Sequence, residues 1–192
     1  TVEGKRFSMK ELPLIGEHNF RNYISAILAA RLDGVEIEDS IKSLETFEGV
    51  TRRMDFVKES CGIKIYDDFA HHPTAIAGTL ETLRSSYPTR KIFALIELRS
   101  NTMKAGIHGN SLVISVENAD SVYWYERTGE WPGIQSLDNP SSSSYFYTSV
   151  DKMVTDLSKS VSDGDIVVLM SNGDFDHAGP SIINALEQGV SR

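Results

Sequence analysis

A single cysteine, Cys61, stands among 192 residues. That excludes an internal disulfide and any metal centre built from several thiolates. Basic residues are few: 19 Lys and Arg against 27 Asp and Glu leave a formal net charge of −8, which argues against a general nucleic-acid or anionic-membrane surface. No apolar run approaches the roughly twenty residues of a transmembrane helix, so no membrane partner is expected. The opening residues Thr1-Val2-Glu3-Gly4-Lys5 have neither the apolar core of a signal peptide nor an initiator Met. The chain therefore reads as a fragment of something longer, from a reducing cytoplasm. The Gly-x-x-x-x-Gly-Lys-Ser/Thr phosphate loop is missing, as is the Gly-x-Ser-x-Gly elbow. His71 and His72 are adjacent and lack the i, i+4 spacing of a helical zinc pair, so no metal site is expected within the chain.

What is present is ordinary in bulk and distinctive in one place. Apolar residues make up 40% and charged residues 24%, as in a globular protein of one domain with perhaps a short additional piece. The distinctive run is Asp67-Asp68-Phe69-Ala70-His71-His72-Pro73-Thr74. Alternating residues at 63–66 predict a strand before it. The apolar spacing of Ala75, Ile76, Leu80 and Leu83 predicts a helix after it, with Pro73 suited to the first turn. The polar cluster, Asp68 included, is then expected in a loop at the carboxyl end of a strand, where open α/β sheets bind ligands.

The rest of the chain repeats the strand–helix alternation. A short strand and loop are expected over 1–15. A helix is expected over 19–32, with Ile24, Ile27, Leu28 and Leu32 as its apolar face, and a second over 38–44. Strands are predicted at 50–58, 63–66, 91–96, 121–125, 145–147 and 165–170. Helices are predicted at 74–86, 112–118, 150–160 and 179–188, and a Gly, Pro and Ser-rich surface loop at 126–144. This predicts an α/β fold with a mainly parallel, Rossmann-like sheet flanked by helices. Its central strands 92–96 and 166–170 are apolar enough for burial on both faces.

Three polar loops would share one sheet edge: 68–73, 97–102 and 170–177. Arg99 could fork onto a carboxylate or pair with Glu97. Ser171, Asn172 and the N–H groups around Gly173 could bind an anion near a helix start. Arg52 and Arg53, read as strand residues, would point to opposite faces, one toward solvent and the other toward a phosphate. Asn19 and Asn22 could present two amides to a purine edge, although Asn19 equally suits a helix cap.

Three ordered motifs together resemble the Mur ligases, ATP-dependent amide-forming enzymes of bacterial cell-wall synthesis. Gly16-Glu17-His18-Asn19-Phe20-Arg21-Asn22 is similar to their Gly-x-His-Asn-x-x-Asn helix start. Phe47-Glu48-Gly49-Val50-Thr51-Arg52-Arg53-Met54 is similar to Phe-x-Gly-Val-x-Arg-Arg-Phe. The run from Asp67 to Thr74 is similar to Asp-Asp-Tyr-Gly-His-His-Pro-Thr. The wording at Phe69-Ala70, Arg99-Ser100-Asn101-Thr102-Met103 and Met170-Ser171-Asn172-Gly173 resembles the branch that recycles murein peptide. The resemblance implies that residues 1–45 end a central ATP-binding domain and that 46–192 form the family's C-terminal domain. Asn19 and Asn22 would lie near the adenine, Arg53 would reach the ATP phosphates and Asp68 would bind the ribose. His71, His72, Arg99, Ser100, Asn101, Ser171 and Asn172 would face the incoming amino acid or peptide.

The implied reaction joins the tripeptide L-Ala-γ-D-Glu-meso-diaminopimelate to UDP-N-acetylmuramate through an acyl phosphate. ATP and Mg2+ would be the cofactors. The P-loop and magnesium ligands would sit in N-terminal and central domains outside this sequence, so no catalytic residue is expected within it. A UDP-N-acetylmuramate–L-alanine ligase and a non-catalytic Rossmann-like ligand-binding module are the alternatives. The chain departs from the family pattern at Leu98, where proline is expected, and at Asp174 and Asp176-His177, where a glycine-rich stretch is expected.

Overall fold

Burial on both faces of a parallel sheet organises the larger part of this computed structural model, which describes residues 6–7, 13–14, 16–130, 133 and 142–189. Packing divides the chain into two units, Thr1–Thr51 and Arg52–Arg192. The expected elements at 1–15 and the tip of the 126–144 loop fall largely outside the described residues.

The first unit holds α1 (Glu17–Leu32) and α2 (Ile37–Glu45). The face that α1 buries differs from the predicted one. Asn19, Tyr23 and Ile27, spaced four apart, are buried, whereas Ile24, Leu28 and Leu32 are exposed, Leu32 at 89%. Tyr23 turns inward because its hydroxyl accepts the Leu14 N–H at 2.8 Å. Asn19 is therefore buried and Asn22, one helical turn on, is exposed.

The second unit is a six-stranded sheet in the order β1-β2-β6-β3-β4-β5. The strands are β1 (Asp55–Ser60), β2 (Ile63–Asp68), β3 (Ile92–Glu97), β4 (Ser121–Tyr125), β5 (Ser143–Tyr147) and β6 (Ile166–Met170). Only β1 and β2 pair antiparallel; all other neighbours are parallel. Every residue of β3 and of β6 is buried, as the apolar runs require. One face packs Ala94, Ile96, Val168 and Met170 against α3 (Pro73–Ser86), α4 (Asn101–Lys104) and α5 (Gly109–Ile114). The other packs Phe93, Leu95, Val167 and Leu169 against α6 (Val150–Ser160) and α7 (Ala178–Gly189).

Two predicted elements differ. The strand expected at 50–58 starts only at Asp55, because Arg52 and Met54 adopt positive φ of 61° and 52° and make a turn. Arg52 and Arg53 are turn residues, not alternating strand residues. The helix expected at 112–118 lies earlier and is split between α4 and α5, separated by the left-handed Gly106.

The β1–β2 connection is a two-residue turn in which Cys61 and Gly62 both have positive φ, 54° and 74°. Two left-handed residues match the twist of a hairpin. A Cβ on Gly62 would stand 1.7 Å from the Asp163 carboxylate oxygen. Gly62→Ala should therefore lower stability by about 1–2 kcal/mol, the cost of a left-handed L-residue, measured as a shift in the urea midpoint at constant slope.

Candidate functional site

Parallel register brings the ends of β2, β6, β3 and β4 to one edge: Asp68 lies opposite Met170, Met170 opposite Ile96, and Glu97 opposite Tyr125. The three predicted loops thus follow adjacent strands, and a fourth loop, Glu126–Thr128, joins them after β4.

Asp68 is the last residue of β2, not a loop residue, and is 5% exposed. Its Oδ2 accepts the Met54 N–H at 2.7 Å and its Oδ1 the Ala70 N–H at 2.8 Å. The carboxylate thus pins both the Arg52–Met54 turn and the start of the histidine loop. Asp67 faces the other way and pairs with Arg52, Nε to Oδ2 at 3.2 Å. Burial pushes the Asp67 carboxyl above its ordinary range, and Arg52 offsets part of that rise. Arg52 also donates from Nη2 to the Ser171 carbonyl at 2.6 Å. Arg53 is exposed, rests on the Phe69 ring 5.5 Å from its centroid and has no carboxylate partner among the described residues. Of the two arginines, Arg53 has the guanidinium suited to an external phosphate.

The histidines split their tasks. His71 donates from Nδ1 to the Phe69 carbonyl at 2.8 Å, which leaves Nε2 as the acceptor in the neutral ring. His72 caps α3 by accepting the Thr74 N–H, ahead of Pro73 in the first turn. Its ring meets the edge of His108, centroids 4.7 Å apart.

Ser171 is 1% exposed and its hydroxyl donates to Glu97 Oε2. The Ser171 Oγ in turn accepts the Gly173 N–H at 2.8 Å. The Ser171 hydroxyl and the Gly173 N–H, expected to be available to an anion, are thus committed to each other and to Glu97. Asn172 Oδ1, in contrast, is buried with no hydrogen-bond partner among the described residues, an acceptor suited to a ligand N–H. Ser100 caps α4 by accepting the Met103 N–H, and Asn101 is exposed at the helix start.

Arg99 projects from the end of β3. Its Nη1 lies 3.2 Å from Asp174 Oδ1 and 4.0 Å from Glu97 Oε1. A Cβ on Gly173 would stand 2.1 Å from that same Nη1, so glycine at 173 makes room for the guanidinium. Arg99, Lys104, Arg127 and Asp174 line a cavity of about 420 Å³ together with Glu97 and Glu126. The two glutamates are withdrawn, with side chains 9% and 1% exposed, whereas Arg99, Lys104 and Arg127 are 49%, 46% and 70% exposed. Burial raises the Glu126 carboxyl, but hydrogen bonds from Thr128 and from the N–H groups of Glu130, Thr128 and Gly129 outweigh it and hold the group below its ordinary range. The exposed wall therefore presents three cations, each with a carboxylate partner: Arg99 with Asp174, Lys104 with Glu126 Oε1 at 3.5 Å and Arg127 with Asp176; of these carboxylates Asp174 is the most exposed, at 60%.

A second cavity of about 420 Å³ lies on the α7 side, lined by Arg52, Asp67, Val57, Leu169, Phe175 and Ile183 among others. The segment between the cavities is conformationally unusual. Phe175, Asp176 and His177 all have positive φ, 49°, 46° and 59°. Left-handed L-residues cost about 1–2 kcal/mol each. Compensating contacts are in place. Asp176 accepts hydrogen bonds from the Tyr125 hydroxyl and from Arg127, and Phe175 stacks on Tyr125 at 5.6 Å. The Tyr125 and Arg127 donors hold the Asp176 carboxyl below its ordinary range. Burial and Asp176 push the Tyr125 phenol up to about 12. Lys104 and Arg127 did not stand out in the sequence. The signal available for Arg127 was its position just beyond a buried strand, the same signal that marks Arg99.

Among the described residues no three His, Cys, Asp or Glu side chains are grouped to hold a metal ion, and no helix is long and apolar enough to cross a membrane.

Residues 52–173 match the glutamate ligase domain of the Mur ligases. A UDP-N-acetylmuramate–L-alanyl-γ-D-glutamyl-meso-2,6-diaminoheptandioate ligase of Escherichia coli K12 is 35% identical over 187 residues, 96% of this chain and 41% of that protein. The chain thus spans about two fifths of such relatives. A crystal structure of a murein peptide ligase from Psychrobacter arcticus 273-4 superposes with a TM-score of 0.74 at 38% identity, over 92% of this chain and 38% of that one. A single crystallised domain, assigned to a ligase of the same name from Haemophilus ducreyi 35000HP, is 30% identical with a TM-score of 0.58. It is matched over 99% of its length by 70% of this chain.

Two outcomes test this geometry. Asp68→Ala strands two buried N–H groups, each worth about 1–3 kcal/mol, so it should lower unfolding free energy by about 2–4 kcal/mol in urea denaturation. Asp176→Asn should cost about 1–3 kcal/mol at neutral pH, the worth of hydrogen bonds to a charged group. Because the folded-state carboxyl is depressed, that contribution is complete above the unfolded carboxylate pKa, near 4, and is lost as pH falls through the folded value. The gap between Asp176→Asn and the parent in thermal denaturation should thus close below about pH 4.

Proposed function

The chain belongs to the Mur ligase family, and from that premise we propose that it is the C-terminal portion of an ATP-dependent ligase. The proposed enzyme joins a tripeptide of the L-alanyl-γ-D-glutamyl-meso-diaminopimelate type to UDP-N-acetylmuramate. The helical unit is the end of the central ATP-binding domain, and the sheet unit is the domain that closes over the nucleotide and the amine. The reading is supported by the names of the relatives at 35–38% identity and by the cavity at the sheet edge lined by Arg99, Lys104 and Arg127.

In the proposed reaction the muramate carboxylate attacks the γ-phosphate and becomes an acyl phosphate, and the peptide amine displaces phosphate. This chain positions reactants and supplies charge, and domain closure excludes water. Arg53 is the phosphate contact and Asp68 the ribose contact. Asp68 reaches the nucleotide only from a carboxylate already holding two N–H groups, so it also fixes the loop that presents Arg53. Asn19 and Asn22 are assigned to the adenine. His71, Ser100, Asn101 and Asn172 face the peptide side, with His72 and Ser171 shaping their loops. Magnesium neutralises phosphate charge when bound, and its ligands are assigned to sequence beyond this chain.

The observation that carries the reading is Arg99. Its guanidinium stands half exposed at the wall of the cavity beside Lys104 and Arg127, where a fork can take a peptide carboxylate. The test is an assay of the full-length gene product with ATP, UDP-N-acetylmuramate and candidate amines. Tripeptide should support phosphate release, and preference for free L-alanine would favour the other branch. The 192-residue chain alone, lacking a phosphate loop, should show no ATP turnover. Arg99→Lys in the full-length enzyme should raise KM for the peptide about tenfold by losing one arm of a charge-assisted pair, with KM for ATP nearly unchanged. Equal changes in both constants would assign Arg99 to loop structure.

A further inference from the structure

The two arginines of the cavity share one counter-ion source. Arg99, beyond β3, pairs with Asp174, and Arg127, beyond β4, pairs with Asp176. Both carboxylates come from one short turn after β6. That turn carries three successive left-handed residues that are not glycine, a conformation that L-residues hold only under external constraint. The constraint consists of these two ion pairs, the Tyr125 hydroxyl and the Tyr125–Phe175 stack. Glu97 and Glu126 are buried, and each commits its Oε2 to other groups; Glu97 Oε1 stands 4.0 Å from Arg99, farther than Asp174, and Glu126 Oε1 pairs with Lys104. Asp174 lines both cavities and Phe175 lines the second, so the turn is the wall between them.

We propose that the Asp174–His177 turn is a gate whose aspartates occupy the carboxylate-binding positions of Arg99 and Arg127 until a ligand carboxylate displaces them. The ligand class is a small dicarboxylate. Only its identity as part of a peptide substrate rests on the ligase reading above. Asp174 sets the threshold: at 60% side-chain exposure it loses little packing on leaving Arg99. Once one clasp opens, the left-handed residues relax toward ordinary backbone conformations and the Phe175 ring leaves Tyr125. Asp174 and Asp176 are then specificity-determining residues, excluding ligands with too few carboxylates to open the gate.

The test is an NMR titration of the 192-residue chain with sodium glutarate, against sodium chloride at matched ionic strength. Glutarate carries neither an amine nor a phosphate, so the result is independent of ligase chemistry. Failure of the ligase assay leaves the gate standing, and failure here leaves the ligase reading standing. Asp174→Asn should bind glutarate at least threefold more tightly than the parent, and Asp176→Asn should shift in the same direction. Glu130→Gln removes one nearby negative charge without touching either arginine and should leave affinity within twofold. Saturating glutarate should abolish the ring-to-ring NOE between Phe175 and Tyr125 in the parent chain. Unchanged or weaker binding by Asp174→Asn, an equal gain in Glu130→Gln, a persistent NOE at saturation, or no glutarate-specific shifts would each overturn the gate.

Discussion

Ser171 ties together the loops that make up the edge of this sheet. Its N–H donates to the Asp68 carbonyl at 3.1 Å and its carbonyl accepts from Arg52. Its hydroxyl donates to Glu97 and accepts from Gly173. One buried residue therefore fastens the turn before β1, the end of β2, the end of β3 and the loop after β6. The arrangement works because every group is satisfied; a buried polar network with one member missing costs more than an apolar replacement. Arg52 cannot reorient without freeing the Ser171 carbonyl, and Glu97 cannot without freeing the hydroxyl. The outward-facing groups, Arg53 and Arg99, are held on a frame whose own polar groups are already engaged.

Charge is distributed against the grain of the composition. The chain carries −8 overall, yet the three cations of the cavity stand exposed while its glutamates are withdrawn. At physiological ionic strength a field decays within about 8 Å. The net acidity therefore bears little on a ligand already at the edge, and the nearby guanidiniums decide its fate. Recognition here depends on which carboxylates are withdrawn as much as on which cations are presented.

Much of this was legible in the residues, and what was not has physical reasons. The strand Ser121–Tyr125 followed from the strand–helix alternation, the helix Val150–Ser160 from its apolar period, and β3 and β6 from unbroken apolar runs. The edge where the loops meet followed from the alternation alone. The turn at Arg52–Met54 was hidden because Val50 and Met54 continue an alternating pattern, while positive φ at Arg52 and Met54 leaves no mark in sequence without glycine. The Asp174–His177 turn was hidden for the same reason: its conformation is imposed by Tyr125, Arg127 and Arg99, all distant in the chain. The dual commitment of Asp68 was invisible too, since nothing local says that a carboxylate will face two backbone N–H groups fourteen residues behind it and two ahead.

The fit of Arg99 over Gly173 ties two positions 74 residues apart into a single unit of inheritance. The guanidinium fills the space a Cβ would need, so a side chain at 173 must displace it. During divergence a side chain can enter at 173 only after position 99 has lost its arginine or its rotamer. A lineage that keeps the arginine in this rotamer keeps glycine at 173. Substrate recognition at one loop thus restricts the evolutionary freedom of another that need never touch the substrate.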